Sequence, residues 1–424
     1  MELNGITASS TPEICQLFAD KFASVYNNEI ITDAQVRRAA SNVPLSGQTM
    51  SGLDIRADAI ARAASKLKSS FNPGPDGIPS VFLKEHISHL LAPLHRLFEM
   101  SISSGIFPSC WKIAFMFPVH KKGSKRDVNN YRGIAALSSI SKLFELVVME
   151  PVISHCKQLL FSYQHGFLAG RSTTTNLLCL TSYIIESMKE HVQTDVIYTD
   201  LSAAFDKLDH DIAIAKLDRF GLSGNILRWF RSYLSNRQLM VSIGDFRSER
   251  FHASSGVPQG SHLGPVIFLL YFNDVHLIIE GPRLSYADDL KMFLKIRTLA
   301  DCQFLQQQIE LFTNWCLLNR MTVNPTKWSV ITFSRRKKPV LFDYSMLGVT
   351  IERVNYIKDL GVILDSQLTY HQHVSYTVNK ASRALGFIFR VAKNFSDIHC
   401  LKSLYCSLVR SILEYCSAVW SPAY

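Results

Sequence analysis

Two adjacent aspartates, Asp288 and Asp289, stand between two apolar stretches, 284–287 and 291–294, that predict the strands of a hairpin. Adjacent carboxylates repel each other unless a cation neutralises them, and only a turn lets both side chains serve one site. A solvated turn would explain an isolated Asp-Asp pair, but the apolar flanks predict a buried hairpin, where an idle charge is unfavourable. The pair therefore predicts a cation-binding site.

A third carboxylate, Asp200, ends the short apolar strand predicted at 196–199. Together with the Asp-Asp pair it would give the acidic cluster of a two-metal polymerase. In such sites two Mg²⁺ ions about 3.5–4 Å apart activate an attacking hydroxyl and stabilise the leaving oxygen. Mg²⁺ suits this chemistry because it binds a few carboxylates together with substrate phosphates and keeps several waters. Mn²⁺ could replace it.

The composition is that of a globular protein with an excess of positive charge. Hydrophobic residues make up 47% of the 424 residues, and 45 lysines and arginines exceed 35 acidic residues, a net charge of +10. Such an excess favours a partner with a phosphate backbone, although many basic proteins bind no nucleic acid.

The nine scattered cysteines show neither zinc-binding spacing nor a disulfide framework, so reduced thiols are expected. The longest apolar run, 265–272, is too short to span a bilayer, and no membrane partner is expected.

The pattern around these residues alternates between helical and strand periodicity, which predicts an α+β fold. Strands are expected at 114–119, 239–243, 250–253, 329–333 and 350–357 in addition to those above. Helices are expected at 13–26, 57–68, 81–103, 137–160, 172–190, 263–272 and 299–319, across most of 207–235, and from 369 to the end. The turn formers of 71–77 predict a loop, and a basic loop follows at 120–126. The acidic residues therefore lie at the turns of a predicted antiparallel sheet with helices behind it.

Several segments together resemble the motifs of reverse transcriptases from non-LTR (LINE-type, jockey-like) retrotransposons. Tyr-Thr-Asp-Leu-Ser-Ala-Ala-Phe-Asp (198–206) resembles the first metal-binding motif, and Ser-Gly-Val-Pro-Gln-Gly-Ser-His-Leu-Gly-Pro (255–265) the second. Tyr-Ala-Asp-Asp (286–289) resembles the third, and residues 318–327 and 360–365 the fourth motif and the primer-grip region. The order and spacing match over about residues 70–420, and ordered motifs are far more specific than a lone Tyr-Ala-Asp-Asp.

The resemblance implies a right-hand polymerase fold with fingers, palm and thumb, an antiparallel palm sheet and a helical C-terminal thumb. The implied domains are an N-terminal linker or helical extension (1–69), fingers and palm (70–365) and the thumb (366–424). The implied function is an RNA-directed DNA polymerase that transfers dNTPs onto a primer 3′-hydroxyl. The partners would be an RNA template, a DNA primer or target and dNTPs, and the protein would be intracellular, in nucleus and cytoplasm.

The resemblance also implies roles for individual residues. Asp200, Asp288 and Asp289 would carry the metals, with the Leu201 carbonyl as a further ligand. Lys327 resembles the lysine that protonates the departing pyrophosphate, although a plain surface lysine explains it nearly as well.

A second group of residues would bind the incoming nucleotide. Cations from Lys121 or Lys122 together with Arg132 would clamp the triphosphate. Phe205 matches the position of an aromatic gate that rejects the 2′-hydroxyl of a ribonucleotide, although most phenylalanines are simply core residues. Gln259 and Gly260 would contact the nucleotide and the template, because glycine lets a backbone approach closely.

Three positions depart from the family pattern. Gly133 stands where a proline usually follows the arginine, Trp328 where a smaller residue is usual, and Asp359 where an aromatic is common. These departures leave open a second interpretation, a catalytically decayed, nucleic-acid-binding remnant of such an element. An RNA-dependent RNA polymerase is disfavoured, because its metal motif usually begins with glycine. Group II intron maturases are a weaker match. No nicking of target DNA is expected, because the first fifty residues resemble only a linker.

Overall fold

A computed structural model describes residues 1–395 and 397–421 of the chain and divides it into two units. The first unit comprises Met1–Phe161, Leu201–Ile278 and Asn314–Val323. The second comprises Ser162–Asp200, Ile279–Thr313 and Asn324–Tyr424, of which residues 396 and 422–424 lie outside the described part.

A five-stranded sheet forms the centre of the second unit. Its strands run in the order Glu352–Val354, Ser329–Phe333, Gln193–Tyr198, Asp289–Ile296 and Arg283–Tyr286. Neighbouring strands are antiparallel, except that the first two pair in parallel. The middle strand is buried along almost its whole length, as expected for a central strand covered on both faces.

Helices and short hairpins surround this sheet. Leu177, Leu180 and Ile184 of helix Thr173–Lys189 pack with Val196 and Ile331 of the sheet, because a helical stripe of apolar residues faces the strands. Two small hairpins pair Ser345–Met346 with Val349–Thr350 and Tyr356–Asp359 with Val362–Asp365. The helices are Leu299–Leu318, whose residues from 314 belong to the first unit, and then His371–Val391, Ile398–Tyr405, Ser411–Glu414 and Ser417–Trp420, with a π-helical turn at Cys406–Arg410 and a 3₁₀ turn at Pro325–Lys327.

The first unit has its own sheet. Strand Ile113–His120 pairs antiparallel with Tyr131–Ala136 on one side and parallel with Arg237–Ile243 on the other. The last of these strands also pairs antiparallel with Phe246–Arg247 and Phe251–Ala253. A further small hairpin joins Glu2–Leu3 to Ile6–Thr7.

The helices of the first unit cover this sheet and build an aromatic core. They are Thr11–Ala23, Asp33–Ala40, Ala57–Lys66, Ser80–Glu85, Ile87–Ser104, Ser139–Cys156, Ala204–Lys207, His210–Arg219, Gly224–Leu234, Leu263–Phe272 and Val275–Ile278, with 3₁₀ turns at Ser109–Lys112, Val128–Asn130 and Lys157–Leu159. Phe18 and Phe22 of the N-terminal helix pack against Met116 and Val241 of the sheet, so part of the predicted N-terminal extension belongs to a core.

The α+β class predicted from the sequence is confirmed, whereas the division into fingers, palm and thumb and its boundaries stay predictions. The strand at Tyr131–Ala136 was not predicted from the sequence. The pattern missed it because the strand is half-exposed and contains Gly133, so its stability comes from pairing with Ile113–His120. The predicted helix 81–103 is two helices, Ser80–Glu85 and Ile87–Ser104, separated at His86.

Two expectations about the whole chain can also be compared with the structure. All nine cysteines are free thiols in the structure. Over residues 1–395 and 397–421, no helix has both the length and the apolar character that crossing a bilayer requires.

Candidate active site

Asp288 and Asp289 lie at a tight turn between the last two strands of the second unit's sheet. Tyr286 pairs with Asp289, which leaves a two-residue loop of Ala287 and Asp288. Ala287 has φ +57°, in the left-handed region that residues with a Cβ rarely adopt. Residues 287–289 are called the carboxylate turn below. The predicted hairpin is confirmed, with strands at Arg283–Tyr286 and Asp289–Ile296.

Asp200 follows the neighbouring strand, and the sheet register directs it toward the same place. Lys291 pairs with Tyr198, and beyond this pair the Thr199 N–H donates to the Leu290 carbonyl at 3.1 Å. Continuing the register by two residues on each strand sets Asp289 opposite Asp200, on the face that Lys291 and Tyr198 share. The antiparallel pairing thus brings together carboxylates that are 89 positions apart in the sequence.

The surroundings of the carboxylate turn raise the pKa of Asp289. Desolvation by the surrounding protein, followed by repulsion from Asp288, Asp359 and Asp200, raises the pKa of Asp289 to about 6, while Lys291 opposes the shift. Repulsion of this kind is what a bound cation would relieve. Within the part of the chain that the structure describes, however, no three His, Cys, Asp or Glu side chains form a ready-made metal-binding group. The assignment of Asp200, Asp288 and Asp289 to metal ions therefore stays a prediction.

Lys327, the last residue of the predicted fourth motif, and Trp328, which follows it, both contact Asp200. The Lys327 ammonium lies 3.0 Å from the Asp200 Oδ2 atom, and both side chains are partly exposed. The Trp328 indole N–H donates to the Asp200 carbonyl at 3.2 Å, and Trp328 is itself almost fully buried. The large residue at position 328, a departure from the family pattern, thus anchors the backbone of Asp200.

A buried ion pair lies two residues beyond Asp289 on the same strand. The Lys291 ammonium contacts Asp359 Oδ2 at 2.6 Å and donates to Asn176 Oδ1 at 2.7 Å. The Tyr198 hydroxyl also donates to Asp359 Oδ2, at 3.0 Å. Asp359, another departure from the family pattern, is therefore the charge partner of a lysine beside the carboxylate turn.

The predicted triphosphate-binding cations share one hairpin of the first unit. Lys121 and Lys122 follow strand Ile113–His120, and Arg132 is the second residue of the returning strand, paired with Val119. All three cations are exposed, as a phosphate-binding role requires. Gly133, the third departure, faces Met116, whose side chain would overlap with any Cβ at this position.

Gln259 and Gly260 lie against the same hairpin. The Ala135 N–H donates to the Gln259 carbonyl at 2.7 Å, and a Cβ on Gly260, which has φ +125°, would overlap with the Ala135 carbonyl. The Gln259 amide donates to both carboxylate oxygens of Asp206 at 2.9 Å. Desolvation raises the pKa of Asp206 to about 6, although the bond from Gln259 opposes the shift.

Glu145 holds the residues that follow this loop. Its Oε2 atom accepts from the His262 N–H at 2.6 Å, at the start of helix Leu263–Phe272, and its Oε1 atom accepts from the Tyr233 hydroxyl at 3.1 Å. Burial raises the pKa of Glu145. A carboxylate at a helix N-terminus satisfies backbone N–H groups that have no partner within the helix. The second motif is thereby tied to the helical core of the first unit.

The remaining two predicted residues also belong to the first unit. The Phe205 ring stacks on Phe268 with the centroids 4.4 Å apart, which fixes the ring at a half-buried position. Leu201 is buried and bridges to Val323. The roles of Phe205 as a sugar gate and of the Leu201 carbonyl as a ligand stay predictions.

The structure thus groups the predicted site residues by unit. Asp200, Asp288, Asp289 and Lys327 lie in the second unit, and the first unit holds Lys121, Lys122, Arg132, Leu201, Phe205, Gln259 and Gly260. Three residues near these groups received no role from the sequence: Asp206, Lys291 and Gln164, which hydrogen-bonds the carboxylate turn. Asp206 stands inside a quoted motif, so its place there was a usable signal. For the other two the sequence offered no local signal.

Comparison with known proteins confirms the resemblance drawn from the motifs. Residues 119–389, more than half of the chain, match the family described as reverse transcriptase (RNA-dependent DNA polymerase). A protein described as a probable RNA-directed DNA polymerase from transposon BS of Drosophila melanogaster is 26% identical over 87% of this chain and 42% of its own length. The RNA-directed DNA polymerase from mobile element jockey of the same species is 26% identical over 88% of this chain and 41% of its own length.

A more distant relative is the Pol polyprotein from the type-1 retrotransposable element R1 of Bradysia coprophila. It is 23% identical over 87% of this chain and 37% of its own length. The chain therefore spans about two fifths of the relatives that it matches.

Proposed function

Because the chain belongs to the reverse transcriptase (RNA-dependent DNA polymerase) family, we propose that it is the polymerase part of a non-LTR retrotransposon protein. Its substrates would be an RNA template, a DNA primer and dNTPs, and the reaction is attack of the primer 3′-hydroxyl on the α-phosphate of a dNTP with release of pyrophosphate. The carboxylate turn beside Asp200 is the observation that carries this proposal: continuing the sheet register sets Asp289 opposite Asp200, and the Asp200 charge contributes to the raised pKa of Asp289.

The donor set at the turn fits magnesium. Carboxylate oxygens are the ligands that Mg²⁺ prefers. Asp289 lies where solvent can reach it, and desolvation, followed by repulsion from the neighbouring carboxylates, raises its pKa to about 6. Asp200, Asp288 and Asp289 would hold the metal, with the Leu201 carbonyl as a further ligand. When bound, the metal supplies charge neutralisation for the attacking and leaving oxygens.

The protein's own residues supply positioning and charge. Lys327 already lies at Asp200, where its ammonium can stabilise phosphate charge or give a proton to the departing pyrophosphate. Arg132, with Lys121 or Lys122, offers cations for a triphosphate from one hairpin. Gln259, held by Asp206, offers its amide oxygen to a nucleotide.

Primer extension tests the proposal directly. Wild type and Asp288→Asn would be assayed side by side with poly(rA)–oligo(dT), Mg²⁺ and labelled dTTP. We expect extension by wild type and its loss in the variant, because the substitution removes a charge from the proposed ligand set while keeping the shape. A folded wild type that binds the template duplex but does not extend the primer would refute the enzymatic proposal.

The second candidate is a catalytically decayed remnant that still binds nucleic acid. Its support was the three departures from the family pattern, yet each has a specific contact here: Gly133 faces Met116, Trp328 binds the Asp200 carbonyl, and Asp359 pairs with Lys291. Departures from the family pattern that the structure accommodates in this way favour the active enzyme.

Incorporation of rUTP in the same primer-extension assay would instead indicate an RNA polymerase and contradict the assignment of Phe205 as a gate.

The cellular partners and location are proposed from the resemblance to non-LTR retrotransposon polymerases. That resemblance implies a nicked chromosomal end as the primer, so we propose action in the nucleus after synthesis in the cytoplasm. The basic run 335–338 is a candidate import signal, since lysine- and arginine-rich segments serve this role, although short runs are often solvated turns.

A further inference from the structure

The side chain of Gln164 encloses the peptide groups of the carboxylate turn. Its Nε2 atom donates to the Ala287 carbonyl at 3.1 Å, and its Oε1 atom accepts from the Ala287 N–H at 3.0 Å. The same Oε1 atom accepts from the Gly166 N–H at 2.7 Å, so the glutamine is fixed on its own loop. Gln164 is 2% exposed, and a buried amide in this position has few alternatives to these bonds.

The backbone on both sides fits this contact closely. A Cβ on Gly166 would overlap with the Ala287 backbone N–H, so the loop can approach the turn only with glycine at this position. The neighbouring Ser285 N–H donates to the Tyr163 carbonyl at 3.0 Å, and the His165 N–H donates to the Ser285 carbonyl at 2.9 Å. Residues 163–166 thus hold strand Arg283–Tyr286 and the carboxylate turn that follows it in place through hydrogen bonds.

The turn needs such support because Ala287 is in the left-handed region. A residue with a Cβ loses roughly 1–2 kcal/mol there, so the conformation persists only where surrounding contacts enforce it. The conformation of Ala287 in turn sets the directions of the two side chains that follow.

We propose that Gln164 is a positioning residue: it holds the carboxylate turn in its left-handed conformation and thereby sets the divalent-metal affinity of Asp288 and Asp289. The inference rests on the proposed function in one respect, the assignment of a metal to this turn. Gln164 contacts neither substrate nor metal and acts only through the Ala287 peptide groups.

The test measures Mn²⁺ binding to the purified protein by electron paramagnetic resonance, without nucleic acid or dNTP. Gln164→Met keeps the length of the side chain and removes all three hydrogen bonds. We expect Mn²⁺ to bind about tenfold more weakly or worse, the usual effect of removing a residue that orients a metal ligand. Gly166→Ala, which leaves Gln164 in place but displaces the turn, should weaken binding in the same direction and serves if Gln164→Met does not fold.

Gln193 provides a matched control within the same unit. Its side chain also bonds both backbone groups of a distant residue, accepting from the Val340 N–H at 2.7 Å and donating to the Val340 carbonyl at 2.8 Å, and it is fully buried. Its amide also donates to Asp195 Oδ1 at 3.2 Å, so Gln193→Met removes three hydrogen bonds away from the carboxylate turn. We expect it to lower stability as Gln164→Met does, and to leave Mn²⁺ affinity within about twofold of wild type, since it orients no proposed ligand.

A rescue variant separates positioning from simple loss of structure. Glycine adopts the left-handed region readily, so the carboxylate turn depends less on the hydrogen bonds from Gln164 when glycine replaces Ala287. The double variant Gln164→Met/Ala287→Gly should recover most of the Mn²⁺ affinity that Gln164→Met loses.

The outcomes distinguish this inference from the proposed function. Wild-type Mn²⁺ affinity in Gln164→Met, an equal loss in Gln193→Met, absence of rescue by Ala287→Gly, or no Mn²⁺ binding by wild type would each overturn the inference. If the affinities change as expected but wild type extends no primer, the proposed polymerase activity fails and the positioning role of Gln164 stands.

Discussion

Replacing Lys291 with methionine should destabilise the second unit strongly, because it leaves Asp359 buried without its cation. The two side chains are 2% and 3% exposed, and the ammonium lies 2.6 Å from the carboxylate. Methionine fills a similar volume but donates no hydrogen bond. After the change, Asp359 keeps the Tyr198 hydroxyl at 3.0 Å, which is a single neutral donor.

The expected magnitude follows from the loss of this charge pair. At the observed separation of 2.6 Å, unit charges attract by about 6 kcal/mol at an effective dielectric constant of about 20, and their desolvation offsets part of this. Removing one partner of a buried pair costs about 3–5 kcal/mol. Asp359→Asn should cost a similar amount, because it leaves the buried Lys291 ammonium without an anionic partner.

The double variant Lys291→Met/Asp359→Asn tests the reasoning. Both charges are gone, while the amide oxygen that replaces the Asp359 carboxylate can still accept from the Tyr198 hydroxyl. The double variant should therefore be more stable than the sum of the single losses by about 2 kcal/mol or more. Urea unfolding of the four proteins, followed by circular dichroism at pH 7, measures this coupling. Additive losses, or single variants that lose less than about 1 kcal/mol, would refute a buried, energetically coupled ion pair.

Three further predictions concern the site residues. Asp206→Ala should raise the KM for dNTP about tenfold with a smaller effect on kcat, because a hydrogen bond from Gln259 to a charged group contributes about 1.5–3 kcal/mol. An unchanged KM in steady-state kinetics would contradict the role of Asp206 in holding Gln259. The folded pKa of Asp206, about 6, lies above the ordinary value of 3.8, so its native form holds a proton more tightly than the unfolded chain does. Its contribution to stability is therefore present below pH 4 and is lost as pH rises to about 6. In urea titrations over this interval, wild type should lose unfolding free energy relative to Asp206→Asn. A constant difference between the two proteins would show that the pKa of the Asp206 carboxyl is not perturbed. Lys327→Met should change the unfolding free energy by less than about 1 kcal/mol, because the ion pair of Lys327 with Asp200 is exposed. The same variant should lower the single-turnover extension rate roughly a hundredfold if the lysine acts as a general acid. Equal rates would leave Lys327 as a plain surface residue.

The motif residues explain how much of the site could be predicted from the sequence. Asp200, Asp288 and Asp289 could be proposed as metal ligands because carboxylates are the oxygen ligands that Mg²⁺ prefers, and the apolar flanks revealed the strands locally. The family followed from several such segments in a fixed order. The α+β class and most helices followed for the same reason: each depends on periodicity within about ten to twenty neighbouring residues.

The tertiary structure decided which residues support these motifs. Gln164 and Ala287 are 123 positions apart, and Lys291 and Asp359 are 68 apart, so no local pattern records either contact. The strand at Tyr131–Ala136 was missed for a similar reason, since its backbone hydrogen bonds depend on a partner strand. The residue types that perform chemistry are thus visible in the sequence, whereas buried hydrogen bonds and ion pairs depend on burial, and burial is fixed only when distant segments pack together.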